Sequence, residues 1–408
     1  VAALRRATLA LAGVLLALSA LAAWKGAEIA RLGAVLTLFD EGRIVENFSG
    51  MDRLFHSVPI PRGDGPVVPL PAGAPIDLPP GVADWVAERQ VTALVVLHDG
   101  RIVHESYRLG TGASDLRISW SVAKSFLSAL LGVLVEEGAI ASLDDPVTAY
   151  APDLADSAYA DARIRDVLNM ASGVAFDEDV TRFRSDLNRM GRVLALGRSM
   201  DDFTTGIDAT AGPPGKVWRY VSIDTHALGM VIRGATGRTI PELMSEKIVA
   251  PLGLETEPYY LTDGDGVAFV LGGLALTTRD YARFGQMFLE GGRVGGRQVV
   301  PEAWVDASTR RSGPNPQGPL GYGYQWWVPP DAAPGEFMAE GIYGQYVYVN
   351  RPAGVVVAVN SADRDFKGRT VANVGVLREI AAAASAPVRD ERRRRPPARF
   401  ARPPRPRR

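Results

Sequence analysis

The sequence predicts an α+β fold within the broad α/β class: one antiparallel sheet flanked by helices, with a mostly helical region inserted between its early and late strands. Three observations carry this. Thr92 to His98 and Arg101 to Tyr107 flank Asp99-Gly100, a pair suited to a tight hairpin. Tyr322 to Val328, Phe337 to Glu340, Gln345 to Asn350 and Val355 to Asn360 read as strands, with Arg351-Pro352-Ala353-Gly354 turning between the last two. The chain between these sets reads mainly as helices and turns. A hairpin alone is marginal, so the early pair is expected to join the late strands in one sheet.

Each part follows in order. Arg5-Arg6 precede an apolar run from Ala7 to Trp24. Its length suits a signal-peptide core and falls a little short of the ~20 residues of a membrane span. Ala20-Leu21-Ala22 is a candidate cleavage site, whereas Trp24-Lys25 reads as an interfacial anchor. Residues 1–26 are expected to be a signal anchor, with a cleaved signal peptide as the alternative. Positive charge on the short side places the body outside the cytoplasm, in the periplasm, with the membrane as a partner. Residues 27–80, Pro- and Gly-rich from about Asp40, are expected to be a linker wrapping the body.

Residues 81–150 and 271–386 are assigned to the sheet domain. It includes a short helix at Gly81 to Arg89, another at Arg279 to Leu289 and a closing helix at Val371 to Ala384. Residues 151–270 form the helical region, with helices at Arg163 to Met170, Thr225 to Ala235 and Ile240 to Val249. Within it, Asp177 to Thr205 is polar and weakly patterned, a kind of stretch that often covers a site. The tail, 387–408, is Arg/Pro-rich and expected to be disordered.

Charge and composition exclude several functions. Lys and Arg total 45 against 46 Asp and Glu, but the last twenty residues hold ten Arg against two acids. The rest is acidic, which argues against nucleic acid as a partner. No cysteine is present, so disulfides, thiolate metal sites and a Cys nucleophile are excluded. Only His56, His98, His104 and His226 offer imidazoles, which argues against a multi-His metal site. His98 and His104 fall on the hairpin strands, where exposed strand faces account for them.

The stretch that carries chemistry is Ile118-Ser119-Trp120-Ser121-Val122-Ala123-Lys124-Ser125-Phe126-Leu127. Apolar residues continue through Leu130, Leu131 and Leu134 at the spacing of a buried helix. Ser121 and Lys124 then share a face one turn apart. A hydroxyl beside an amine is a nucleophile beside a base, provided the amine loses its proton, and apolar burial favours that. The chain has five Lys among its 45 cations and keeps one here. Arg never deprotonates, so it cannot serve as a base. The helix start also offers the Ser121 N–H to an oxyanion.

Several stretches, in one order, resemble the serine β-lactamase and penicillin-recognising family, nearest its class C-like esterase and nylon-oligomer (6-aminohexanoate-dimer) hydrolase branch. They are Ser121-Val122-Ala123-Lys124, Leu168-Asn169-Met170-Ala171-Ser172-Gly173, Tyr220-Val221-Ser222, Gly272-Gly273-Leu274 with Arg279-Asp280-Tyr281-Ala282-Arg283-Phe284-Gly285, and Gly341-Ile342-Tyr343-Gly344-Gln345. The resemblance implies a β-lactamase/transpeptidase-like fold and a serine hydrolase that needs no metal or cofactor. It implies that Ser121 is acylated, that Lys124 is its base or relay, and that Tyr220 is a second proton shuttle. A Tyr of ordinary pKa needs cationic neighbours for that work, and Lys124 is expected to supply one. The N–H groups of Ser121 and Ile342 would form the oxyanion hole. Ser222, Glu340, Gly341, Tyr343 and Asp177 would contact substrate.

Two departures matter. Ser222 stands where β-lactamases carry Asn, and Ala339-Glu340-Gly341 stands where they carry Lys-Thr-Gly or His-x-Gly. A carboxylate there is poorly suited to an anionic substrate. The reading is therefore a hydrolase of neutral or amine-bearing small amides or esters. The alternatives are a penicillin-binding-like sensor with little turnover and a true β-lactamase.

Overall fold

A computed structural model describes residues 2–314 and 318–387. Helix α1 (Ala2–Thr37) is followed by α2 (Ile44–Ser49), α3 (Met51–Leu54) and strand β1 (Ser57–Pro59). Next come α4 (Val82–Glu88), β2 (Val91–His98), β3 (Arg101–Tyr107), β4 (Arg117–Ile118) and α5 (Ala123–Glu136), the last entered through a tight turn at Trp120–Val122. The helical middle holds α6 (Ile164–Leu168), α7 (Asp186–Ala195), α8 (Met200–Thr205), α9 (Asp224–Thr236), α10 (Ile240–Met244) and α11 (Ala250–Leu252). After it follow β5 (Tyr259–Leu261), β6 (Leu274–Leu276), α12 (Thr278–Leu289), the hairpin of β7 (Arg293–Val294) and β8 (Arg297–Gln298), and α13 (Glu302–Ser308). Strands β9 (Gly321–Tyr322), β10 (Trp327–Val328), β11 (Glu336–Gly341), β12 (Gln345–Asn350) and β13 (Val355–Ser361) precede the closing helix α14 (Thr370–Ser385).

The main sheet runs β3-β2-β13-β12-β11-β10-β9. The early hairpin joins the late strands, as expected: β2 pairs antiparallel with β13, Val96 opposite Val357. Asp99 and Gly100 both take positive φ, 48° and 72°, the backbone that a two-residue turn between right-twisted strands requires. One face of the sheet meets α4 and α14 through Trp85, Leu377 and Ile380. The other meets α12, and α5 lies beyond it, with Phe126 stacked on Phe284. A smaller sheet, β1-β5-β6-β4, was not anticipated. Its strands are two or three residues long, too short for periodicity to register.

Helix α12 approaches the main sheet closely because Gly285 has no side chain. A Cβ there would fall 2.6 Å from Val356 Cγ1 and 2.8 Å from Val347 Cγ1. Gly285→Ala is expected to cost about 1–3 kcal/mol by overpacking, measured as a lower denaturant midpoint at unchanged slope. Arg283, in the same helix, bonds Asp280 at 2.9 Å and Glu255 at 2.6 Å. In this chain that stretch holds the fold together.

Three sequence expectations need correction. The linker expected over 27–80 is partly built structure, because Ile44, Phe48, Met51, Phe55 and Ile60 are buried in the main core. That much apolar surface does not stay in solvent. Helix α1 also runs unbroken through residue 26, and Arg31 Nε donates to the Ala195 carbonyl at 2.9 Å. Tyr322 to Val328 is two short strands, not one. The chain turns at Gln325 (φ 65°), whose side chain donates to the Leu168 carbonyl and accepts from Thr225. The stretch 177–205 contains two helices, α7 and α8, capped by Ser185 and Ser199.

Leu4, Leu9, Leu11, Leu15 and Leu16 stand exposed on α1. Among the described residues, no helix is long and apolar enough to cross a membrane. The Arg/Pro-rich tail falls outside the described residues from 388 onward.

Candidate active site

Ser121 sits where β4 gives way to α5. Trp120, just before it, holds φ at 44°, a left-handed conformation that costs a non-glycine residue on the order of 1–3 kcal/mol. The resulting bend carries the chain from strand to helix across the four residues 119–122. One turn on, Lys124 Nζ donates to Ser121 Oγ at 3.0 Å and to the Leu271 carbonyl at 2.7 Å. Lys124 is 1% exposed. Burial brings its pKa down from 10.5 to about 7, against the upward pull of Glu178 and Asp224. A large share of this amine is therefore neutral at physiological pH.

Tyr220 arrives from a loop held by the Leu168–Gly173 stretch. Gly215 N–H donates to the Ala171 carbonyl at 2.7 Å and Arg219 N–H to the Met170 carbonyl at 2.8 Å. Tyr220 stacks on Trp327 with ring centroids 5.7 Å apart, and Lys124 Nζ lies 5.5 Å from the centroid of the Tyr220 ring. Burial holds the phenol well above its ordinary pKa, while the nearby Ser121 and Ser222 hydroxyls pull weakly the other way. This reverses the expectation that Lys124 would make Tyr220 acidic. Burial, with Glu178 and Glu340 acting in the same direction, outweighs these hydroxyls and favours the protonated phenol.

Ser222 lines the cavity beside Ser121 and Tyr220. Its hydroxyl is already engaged, donating to Glu178 Oε2 at 2.9 Å. Asp177, expected to touch substrate, does not line that cavity. Its carboxylate pairs with Arg182 at 2.9 Å. Glu178, the next residue, lines it instead, and burial raises its pKa. Behind Lys124 the buried Asp224 accepts from the Tyr159 hydroxyl at 2.8 Å, and burial pushes its pKa up to about 8.

The end of β11 closes the other side. A Cβ on Gly341 would lie 2.6 Å from the Ser119 carbonyl oxygen and 3.1 Å from the Ser121 nitrogen. Only glycine lets this strand reach the Ser121 amide. Ile342 follows and lines both spaces that open at Ser121. Tyr343 (φ 61°) stacks on Phe39 at 4.7 Å and lines the apolar space. Glu340 lines the second space opening at Ser121, accepts from Thr370 Oγ1 at 2.6 Å, and is pushed up to about 7 by burial.

Sequence reasoning missed four contributors: Glu178, Asp224, the Leu271 carbonyl and the α7 face formed by Leu187, Met190, Gly191 and Leu194. The last had a signal, since its positions recur at helical spacing. A carbonyl that binds an amine from far along the chain leaves none. His98 and His104 stay on the hairpin, beside Asp99 and Ser106 respectively.

Fold and site together are of the β-lactamase/transpeptidase-like class: a Ser-x-x-Lys helix against an antiparallel sheet, with a tyrosine nearby. The chain belongs to the β-lactamase family, whose model matches residues 82–380. It is 29% identical over 325 residues to the 6-aminohexanoate-dimer hydrolase of Paenarthrobacter ureafaciens, covering 75% of this chain and 82% of that one. It is also similar to a solved structure from Bacillus anthracis provisionally assigned as a 6-aminohexanoate-dimer hydrolase. That match has a TM-score of 0.72 and 24% identity, over 85% of this chain and 95% of the other. EstCE1, described as a hydrolase with promiscuous acyltransferase activity, superposes at a TM-score of 0.59 and 16% identity, over 75% and 97% of the two chains.

Proposed function

We propose that this protein is a serine hydrolase that cleaves amide or ester bonds of small molecules through an acyl-Ser121 intermediate. The observation that carries the reading is the buried Lys124 amine, 3.0 Å from Ser121 Oγ, with its pKa brought down to about 7. Neutral Lys124 takes the hydroxyl proton as Oγ attacks the carbonyl carbon. The negative oxygen is met by the Ser121 and Ile342 N–H groups. The bond to the leaving group then breaks, and that group takes up the proton through protonated Tyr220, which is replenished from Lys124. Water reverses these roles and frees Ser121. The 6-aminohexanoate-dimer hydrolase relative supports an amide as substrate. The Glu340 carboxylate in the cleft disfavours anionic substrates, so nitrocefin is expected to turn over slowly.

Labelling by a fluorophosphonate tests this without knowledge of the substrate. Lys124 accepts a proton only when neutral, so the labelling rate is expected to rise with pH through about 7 and then level off. A rate that stays flat between about pH 5 and pH 9 would remove Lys124 as the base. The extracytoplasmic, membrane-associated location is a separate proposal. Sedimentation with membranes and release by detergent would support it, and a fully soluble protein would not.

A further inference from the structure

Two spaces open from Ser121, and they differ in enclosure. One is a more open cleft walled by Glu340 and Thr370 together with Leu320 and Trp327. The other is a cavity of about 310 Å³ with apolar walls, among them Leu38, Met51, Phe55, Met190, Leu194 and Phe269. The first three of these precede residue 82, where the match to the family begins. Aromatic contacts fasten this N-terminal segment to the site. Phe39 stacks on Tyr343 at 4.7 Å, and Phe48 meets Trp120 edge-on at 5.4 Å.

We propose that this cavity receives the hydrocarbon acyl chain of the ester or amide cleaved at Ser121, and that residues 35–55 set the length it accepts. The inference rests on the acyl-Ser121 reading and adds the substrate class. At about 310 Å³ the cavity has room for a medium-length hydrocarbon chain, on the order of ten carbons. The acyl group stays on Ser121 between the two half-reactions, while the leaving group has to depart. The enclosed apolar chamber therefore suits the acyl side, and the more open cleft beside Glu340 suits the leaving side. Each methylene that enters is expected to raise kcat/KM about fourfold, the equivalent of ~0.8 kcal/mol, until the space is full.

The test uses the full chain and two ester series. In one, p-nitrophenyl esters run from acetyl to dodecanoyl. In the other, acetate esters carry alcohols of matching length. Activity is expected to climb along the acyl series to about ten carbons and then drop, and to change little along the alcohol series. Gly191 supplies the variant, because a Cβ there meets no atom within 4 Å. Gly191→Phe is expected to move the optimum to shorter chains and cut the decanoyl-to-acetyl ratio of kcat/KM by about tenfold or more. Its melting temperature reports whether the fold persists.

A flat acyl series, a climb on the alcohol side only, or an unchanged ratio in a folded Gly191→Phe would each overturn the acyl cavity. If Ser121→Ala still loses all turnover, the hydrolase reading survives that failure. Equal turnover by Ser121→Ala and wild type would remove both. If no ester reacts, alkyl fluorophosphonates decide: a decyl probe should label Ser121 faster than an ethyl one by intact mass. Equal rates would count against the cavity, and no labelling against the hydrolase as well.

Discussion

Ser121→Ala is expected to abolish both covalent labelling and turnover, leaving the fold intact. The expected loss in kcat is on the order of 10⁵–10⁶, the scale seen when a nucleophile is removed from a unit that acts together. The structural effect should be small. Ser121 is half-buried, and its hydroxyl accepts one bond from Lys124, which keeps its second partner in the Leu271 carbonyl. Intact mass after fluorophosphonate treatment gives the answer in one measurement. A Ser121→Ala protein that gains the same adduct mass as wild type places the nucleophile elsewhere.

Lys124→Met is expected to lose about 10⁴-fold or more in turnover while changing stability in a way that depends on pH. The pKa of the amine is 10.5 unfolded and about 7 folded. Because the folded value is the lower one, folding expels a proton between these limits, and the unfolded chain binds more. The penalty on the wild type is therefore largest below about pH 7 and fades as pH rises to 10.5. Methionine carries no such penalty. The Leu271 carbonyl loses its donor in the variant, a cost that does not vary with pH. The stability of Lys124→Met relative to wild type should thus be highest at low pH and decline towards pH 10.5, read from denaturant midpoints. A difference independent of pH would mean that the amine is charged in the folded protein. Lys124→Arg separates the roles further, since it keeps a cation and cannot deprotonate. It too should be inactive.

The two variants test one idea, that function here is stored as a destabilised group. Burying an amine with few partners costs stability, and the surrounding core supplies it. Phe126 and Leu127 are fully buried beside Lys124 on α5. Glu178 and Asp224 carry part of the same strain, both raised by burial near the same amine. Neither announces itself in the chain, because an acid beside a loop and an acid opening a helix are ordinary features. Asp177 and Glu178 illustrate the limit. Both are acids in one acidic run, and only the loop's path decides that Glu178 enters the cavity while Asp177 turns to Arg182.

Much of the architecture was legible because it follows short-range rules. The Asp99-Gly100 turn, the short apolar runs of β11 to β13 and the spacing along α5 each depend on neighbours a few residues apart. The Ser-x-x-Lys pair belongs to the same group, since one helical turn brings both ends together. The segment 27–80 was misread because proline and glycine were weighed as a composition, while its scattered Phe48, Met51 and Phe55 were buying burial against residues far along the chain.

By itself the sequence determined which groups could react: one serine and one lysine a turn apart, a tyrosine, a glycine at a strand end, and no cysteine. Tertiary structure alone decided that the lysine's pKa falls to about 7, that the tyrosine's rises, and that an N-terminal helix and its following turns wall an apolar chamber. The physical reason is that desolvation and cavity shape are set by atoms from many distant segments at once, whereas residue type and helical spacing are written locally.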